Sequence, residues 1–82
     1  MLLVIARDEL AKVIHESRYP SGDNTWDALP ASPQNPQRYY ARKAAEAVLK
    51  FLGAEEAVVN GFVQFETSTT AVGEAIEKAS KS

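Results

Sequence analysis

Apolar and polar residues alternate along this chain with three different rhythms. From Leu3 to Ser17 the apolar positions Leu3, Ala6, Leu10, Val13 and Ile14 recur at the helical period, and Ser17 continues their face. Asp8, Glu9, Lys12, His15 and Glu16 occupy the opposite side. The spacing predicts a helix over about 3–17, braced by the i,i+4 pairs Asp8–Lys12 and Lys12–Glu16. Pro20 bars the helix from running past Tyr19, because proline disfavours the α region at the residue before it.

Residues 18–33 break the rhythm. The stretch from Pro20 to Gln37 holds four prolines and a Ser21-Gly22-Asp23-Asn24 turn signal. Thr25 is placed to cap one helical turn over Trp26–Leu29, which Pro30 stops. A loop this long in a small domain needs pins of its own, and Trp26 and Leu29 are the candidates.

The helical period returns over about 34–52. Ser32 or Asn35 is the predicted N-cap, with Pro33 or Pro36 at the first helical position, and Gly53 is the predicted stop. Tyr40, Ala44, Ala47, Val48 and Phe51 line one face; Tyr39, Arg42, Lys43, Glu46 and Lys50 line the other, with Glu46–Lys50 spaced as an ion pair. Residues 54–67 read either as a short helix or as a hairpin turning at Asn60-Gly61. Ser68-Thr69-Thr70 then caps a last helix, about 70–79, with Val72, Ala75, Ile76 and Ala79 on one side, and the tail Ser80-Lys81-Ser82 is expected to fray.

The expected fold is therefore mainly α. One domain spans 1–82: two antiparallel core helices, a long Pro-rich loop, then a short hairpin or extended segment plus a helix. The helices pair through Leu10, Val13, Ile14, Tyr40, Ala44, Ala47, Val48 and Phe51, with Trp26 and Leu29 closing one end. On this reading Tyr40→Ala or Phe51→Ala costs about 3 kcal/mol.

Composition narrows the class. At 82 residues and 45% hydrophobic the chain is one foldable domain. It has no cysteine, which removes disulfides and thiolate metal sites. The apolar opening Met1–Ala6 is too short for a signal peptide or a membrane span, so the expectation is a cytoplasmic protein with no membrane partner. The net charge of −2 argues against nonspecific coating of nucleic acid. Residues 34–53 nonetheless carry Arg38, Arg42, Lys43 and Lys50 against the single carboxylate Glu46, so one helix is basic in an acidic protein.

Candidate chemistry is sparse. His15, the one histidine, lies on the polar face as a surface or cap residue; a base or metal site shared with Asp23 or Asp27 matches no ligand spacing. No phosphate-binding glycine loop or nucleophile elbow is present. No enzyme, catalytic residue, metal or cofactor is expected. Tyr39, Arg42, Lys43 and Lys50 form the candidate binding surface, for an acidic protein partner first and for phosphates second.

Ile14-His15-Glu16, then Trp26-Asp27-Ala28-Leu29-Pro30, then Tyr40 and Ala44 leading to Ala47-Val48-Leu49 carry a resemblance. Their order is similar to small uncharacterised proteins of tailed bacteriophages and prophages with a Trp-x-x-Leu … Tyr-x-x-x-Ala helical pattern. It covers residues 5–53 and leaves the C-terminal third unmatched. The Trp…Tyr-x-x-x-Ala spacing is also similar, more distantly, to an HMG box, but the dense lysines of a minor-groove bender are missing. The phage resemblance implies a small accessory protein of the host cytoplasm acting through protein–protein contact. The alternatives are a nucleic-acid-binding regulator using the basic face, or a structural virion or assembly component.

Overall fold

The computed structural model describes residues 1–32 and 34–81, and it is a mixed α/β domain. Strand β1 (Leu2–Ala6) runs directly into helix α1 (Arg7–Arg18); a 3-10 turn (Trp26–Ala28) interrupts the loop before α2 (Pro36–Phe51). Strands β2 (Glu55–Val59) and β3 (Phe62–Ser68) form a hairpin, and α3 (Thr69–Ser80) follows at once. The sheet is antiparallel with order β1-β3-β2.

The mainly α expectation is thus overturned, chiefly by residues 2–6. Leu2-Leu3-Val4-Ile5 is a short continuous apolar run, and such runs fit a strand as well as a helix. What decides is the partner: β3 aligns Leu3 with Thr67 and Ile5 with Phe65, and the pairing satisfies both backbones. The first helix begins only at Arg7, with Asp8 and Glu9 in its first turn where the helix dipole favours anions. Residues 54–67, open to helix or hairpin by sequence, contain the hairpin. Asn60 (φ 53°) and Gly61 (φ 81°) both take the left-handed conformation that a tight two-residue turn demands.

The α2 signals hold. Asn35 is the N-cap, its Oδ1 accepting from the Arg38 amide at 3.0 Å, and Pro36 takes the first position. Pro33, the other candidate, lies outside the described residues, as does Ser82 of the tail. Gly53 (φ 74°) ends the helix: its N–H donates to the Lys50 carbonyl and that of Ala54 to Leu49. This is the Schellman pattern, and buried Ala54 packs with Leu49 beneath it. An added Cβ at Gly53 meets the Ala71 Cβ at 3.3 Å, which places the start of α3 beside the end of α2. Ser68 caps α3 as expected, accepting from the Ala71 amide at 3.1 Å, and the helix spans 69–80.

Two apolar clusters form the core. Ala11, Trp26, Leu29, Ala41 and Ala45 make one, so both loop pins are where the sequence puts them. Leu49, Ala54 and Phe65 make the other, and Leu10 packs against both. The predicted core face of α2 is corrected. Ala41, Ala45 and Leu49 point inward, whereas Tyr40 is 70%, Phe51 54% and Val48 43% exposed. Val13 of α1 is likewise exposed, at 65%. The helix carries two apolar stripes about 110° apart, and periodicity by itself does not say which of them meets α1. Alanines at 41 and 45 allow α1 to approach closely through Ala11, and Trp26 fills the space left over. The 3 kcal/mol cost assigned to Tyr40→Ala and Phe51→Ala falls with that correction, since an exposed side chain leaves no cavity.

Candidate functional site

The loop residues Asn24 to Pro30 fold against one end of the α1–α2 pair, while Lys50 lies in the last turn of α2 at the other end. Arg38 is the clip. Its Nε donates to the Pro30 carbonyl at 2.8 Å, and its Nη2 donates to the carbonyls of Trp26 (2.9 Å) and Leu29 (3.0 Å). The guanidinium also lies 4.6 Å from the centre of the Trp26 ring. One cation therefore satisfies three loop carbonyls and covers the one Trp, a task suited to the planar guanidinium fork.

His15 is corrected from surface to interior: it is 5% exposed. Its Nε2 donates to the Asn24 carbonyl, and its ring sits 5.0 Å from Tyr19 and 6.0 Å from Trp26. Burial is tolerable because the loop brings a backbone acceptor to the imidazole. Asp27 pairs with Lys12 at 3.3 Å. No group of three His, Asp or Glu among the described residues is placed to hold a metal ion.

The four predicted surface residues divide. Arg42 is taken up internally, with Nε and Nη2 each donating to a carboxylate oxygen of Asp8 at 3.1 Å. Tyr39 is half exposed, packed edge-to-face on Tyr40 at 5.6 Å, with the Lys43 ammonium 5.6 Å from its ring. Lys43 reaches Glu46 at 3.7 Å, and Lys50 is exposed. Members of the expected i,i+4 pairs take other partners: Asp8 meets Arg42 across the helix pair and its neighbour Arg7, Lys12 meets Asp27, and Glu46 meets Arg7 at 3.3 Å as well as Lys43.

Asp8 feels opposing influences. Partial burial pushes its carboxyl up, but hydrogen bonds and charge from Arg42 and Arg7 outweigh this and hold it below the ordinary 3.8. A lowered carboxyl stabilises the fold above its unfolded value and loses that contribution as pH falls through the folded one. Acid titration of stability is expected to show a loss below about pH 4 that Asp8→Asn removes, leaving the variant less stable at neutral pH but flatter in acid. Urea midpoints for both proteins between neutral and acid pH measure it.

What the sequence did not show is a groove. Ile14, His15, Arg18 and Tyr19 from α1 and its end, with Gln37, Tyr40, Ala41 and Ala44 from α2, enclose a cavity of about 240 Å³ open to solvent. Its walls are largely apolar, with Arg18 and His15 among the lining residues. Ile14, Tyr40 and Ala44 belong to the face expected to form the core; the groove is where that apolar face emerges. No helix among the described residues is long and apolar enough to cross a membrane. No family model matches the chain, and no curated protein or solved structure does.

Proposed function

We propose that the protein is a small non-enzymatic interaction module that seats an apolar side chain of a protein partner in the α1–α2 groove. The observation that carries this is the groove itself: Ile14, Tyr19, Tyr40 and Ala44 form an uncovered apolar wall, with Arg18 at its rim. Exposed aromatics beside a concave apolar surface are the usual anchors of protein interfaces. Arg18 favours a carboxylate next to the apolar anchor, so the fitting ligand is an amphipathic segment with acidic flanks. Tyr39 and Lys43 extend the surface past Tyr40.

A phage- or prophage-type accessory role belongs to the same proposal. Some of the residues behind that resemblance lie near one another, His15, Trp26 and Leu29 beneath the groove and Tyr40 and Ala44 lining it, whereas Leu49 belongs to the second cluster. The nucleic-acid alternative has less behind it. Arg38 is engaged with the loop carbonyls and Arg42 with Asp8 at the surface, which leaves Lys43 and Lys50 as the remaining cations of the basic face. The 17 residues between α1 and α2 also exceed the three to four that join the helices of a helix-turn-helix.

Tyr40→Glu tests the reading. With Tyr40 mostly exposed, the melting curve is expected to stay within about 0.5 kcal/mol of wild type. Acidic amphipathic peptides from a display library, selected on the wild-type protein, are expected to lose at least tenfold in affinity for Tyr40→Glu and for Arg18→Glu. Selected peptides that bind both variants as well as wild type would place recognition elsewhere.

A further inference from the structure

Helix α3 is folded but almost uncovered. None of its residues is buried, and Ile76, in the middle of its apolar stripe Val72-Ala75-Ile76-Ala79, is 59% exposed. A helix of 12 residues is marginal in water by itself, and Gly73 weakens this one further; such helices are held by packing of their apolar face. The chain is also expanded, with a radius of gyration of 14.0 Å where about 12 Å suits 82 compact residues. The second half of α2 has the same deficit, in exposed Val48 and Phe51, and its end lies beside the start of α3.

We propose that the chain pairs with a second copy of itself, α3 of each copy lying on the Ala47-Val48-Phe51 stripe of the other's α2. Shape supports this occupant: beside exposed Ile76, α3 offers the half-buried Ala75 and the exposed Ala79, small residues one turn apart, and α2 offers the bulky Val48 and Phe51 to lie against them. A twofold arrangement covers both stripes of both copies at once. The exposed fractions of Val48 (43%), Phe51 (54%) and Ile76 (59%), with the exposed Ala47 and Ala79, amount to about 300 Å² of apolar surface per copy. At about 60% apolar, the two together imply an interface near 1,000 Å², the size of weak, transient contacts. The dimer is therefore expected to be a weak, transient one. The outer face of the sheet is the poorer candidate. Leu2, Val4, Val59 and Phe62 are exposed there, but Glu55 and Glu66 are direct cross-strand partners in their midst. This pairing goes beyond the partner-binding groove and stands or falls independently of it.

Sedimentation velocity on the full chain, from about 1 µM to about 1 mM, covers the range of weak association. The wild type is expected to pass from monomer to dimer, with its helical circular dichroism rising in parallel as α3 gains cover. Ile76→Lys and Phe51→Glu are each expected to weaken dimerisation at least tenfold. An equimolar mixture of the two variants is expected to associate more tightly than either alone. In the mixed dimer the introduced ammonium of one copy faces the introduced carboxylate of the other, while the second contact stays native. A wild type that remains monomeric throughout overturns the proposal. So does a dimer indifferent to these substitutions, a mixture no tighter than its components, or a dimer broken instead by Phe62→Lys on the sheet.

Discussion

Phe65→Ala is expected to lower stability by about 3–5 kcal/mol. Phe65 sits on the central strand, is 1% exposed and packs against Leu49 and Ala54 from the helical side. Its truncation leaves a void among Ile5, Leu10, Val63 and Leu49, and the hydrogen-bonded sheet cannot collapse into that void without losing register. A domain of 82 residues has a total stability of roughly 4–12 kcal/mol, so the variant lies at or beyond its limit. Phe65→Leu, which keeps most of the volume, is expected to cost under about 1.5 kcal/mol. Urea unfolding of both variants checks the pair; equal losses from the two would mean that the cluster is not close-packed.

Trp26→Ala is the second large loss, about 3–5 kcal/mol, with a different distribution. Trp26 anchors a loop rather than a strand. Removing it uncovers His15, deprives Arg38 and Arg42 of the ring they lie against at 4.6 and 5.7 Å, and frees the loop that supplies the Asn24 carbonyl. Amide exchange is the discriminating readout. Residues 35–41 at the start of α2 and 15–19 at the end of α1 should lose protection first, while β1 and β3, which meet the second cluster, keep theirs until global unfolding. Arg38→Met, retaining the length of the stem but no donors, should reproduce part of that pattern.

The contrast between these two residues shows what was readable. Asn35, Pro36, Gly53 and Ser68 act through chemistry carried within a few positions of themselves, and each sits where local reasoning puts it; Trp26 and Leu29 were legible as the bulky apolar residues of a polar loop, though their partners lie on α1 and α2. Phe65 and the strand at 2–6 depend on each other across about sixty residues, so no local window distinguishes that strand from a helix turn. The burial of His15 and the pairing of Arg42 were out of reach for the same reason: their surroundings are set by Asn24 and Asp8, one delivered by a loop and the other by a separate helix. The groove had a signal that could have been used. Helix α2 bears both Ala41-Ala45-Leu49 and Tyr40-Ala44-Val48-Phe51, more apolar girth than one neighbouring helix can cover, and the surplus stripe is what faces outward.

The sheet order carries a consequence for how the molecule assembles. Strands β2 and β3 are joined by two residues and can zip locally, but β1, made before either, has its sheet partner on the far side of both helices and the long loop. Until β3 emerges from the ribosome, the apolar ribbon Leu2-Leu3-Val4-Ile5 lacks the strand it pairs with. Closing a loop of that length is slow compared with forming a hairpin or a helix. The nascent chain therefore passes through a stage in which the first-made strand of its sheet is still sticky, and a chaperone that binds short apolar stretches has its target there.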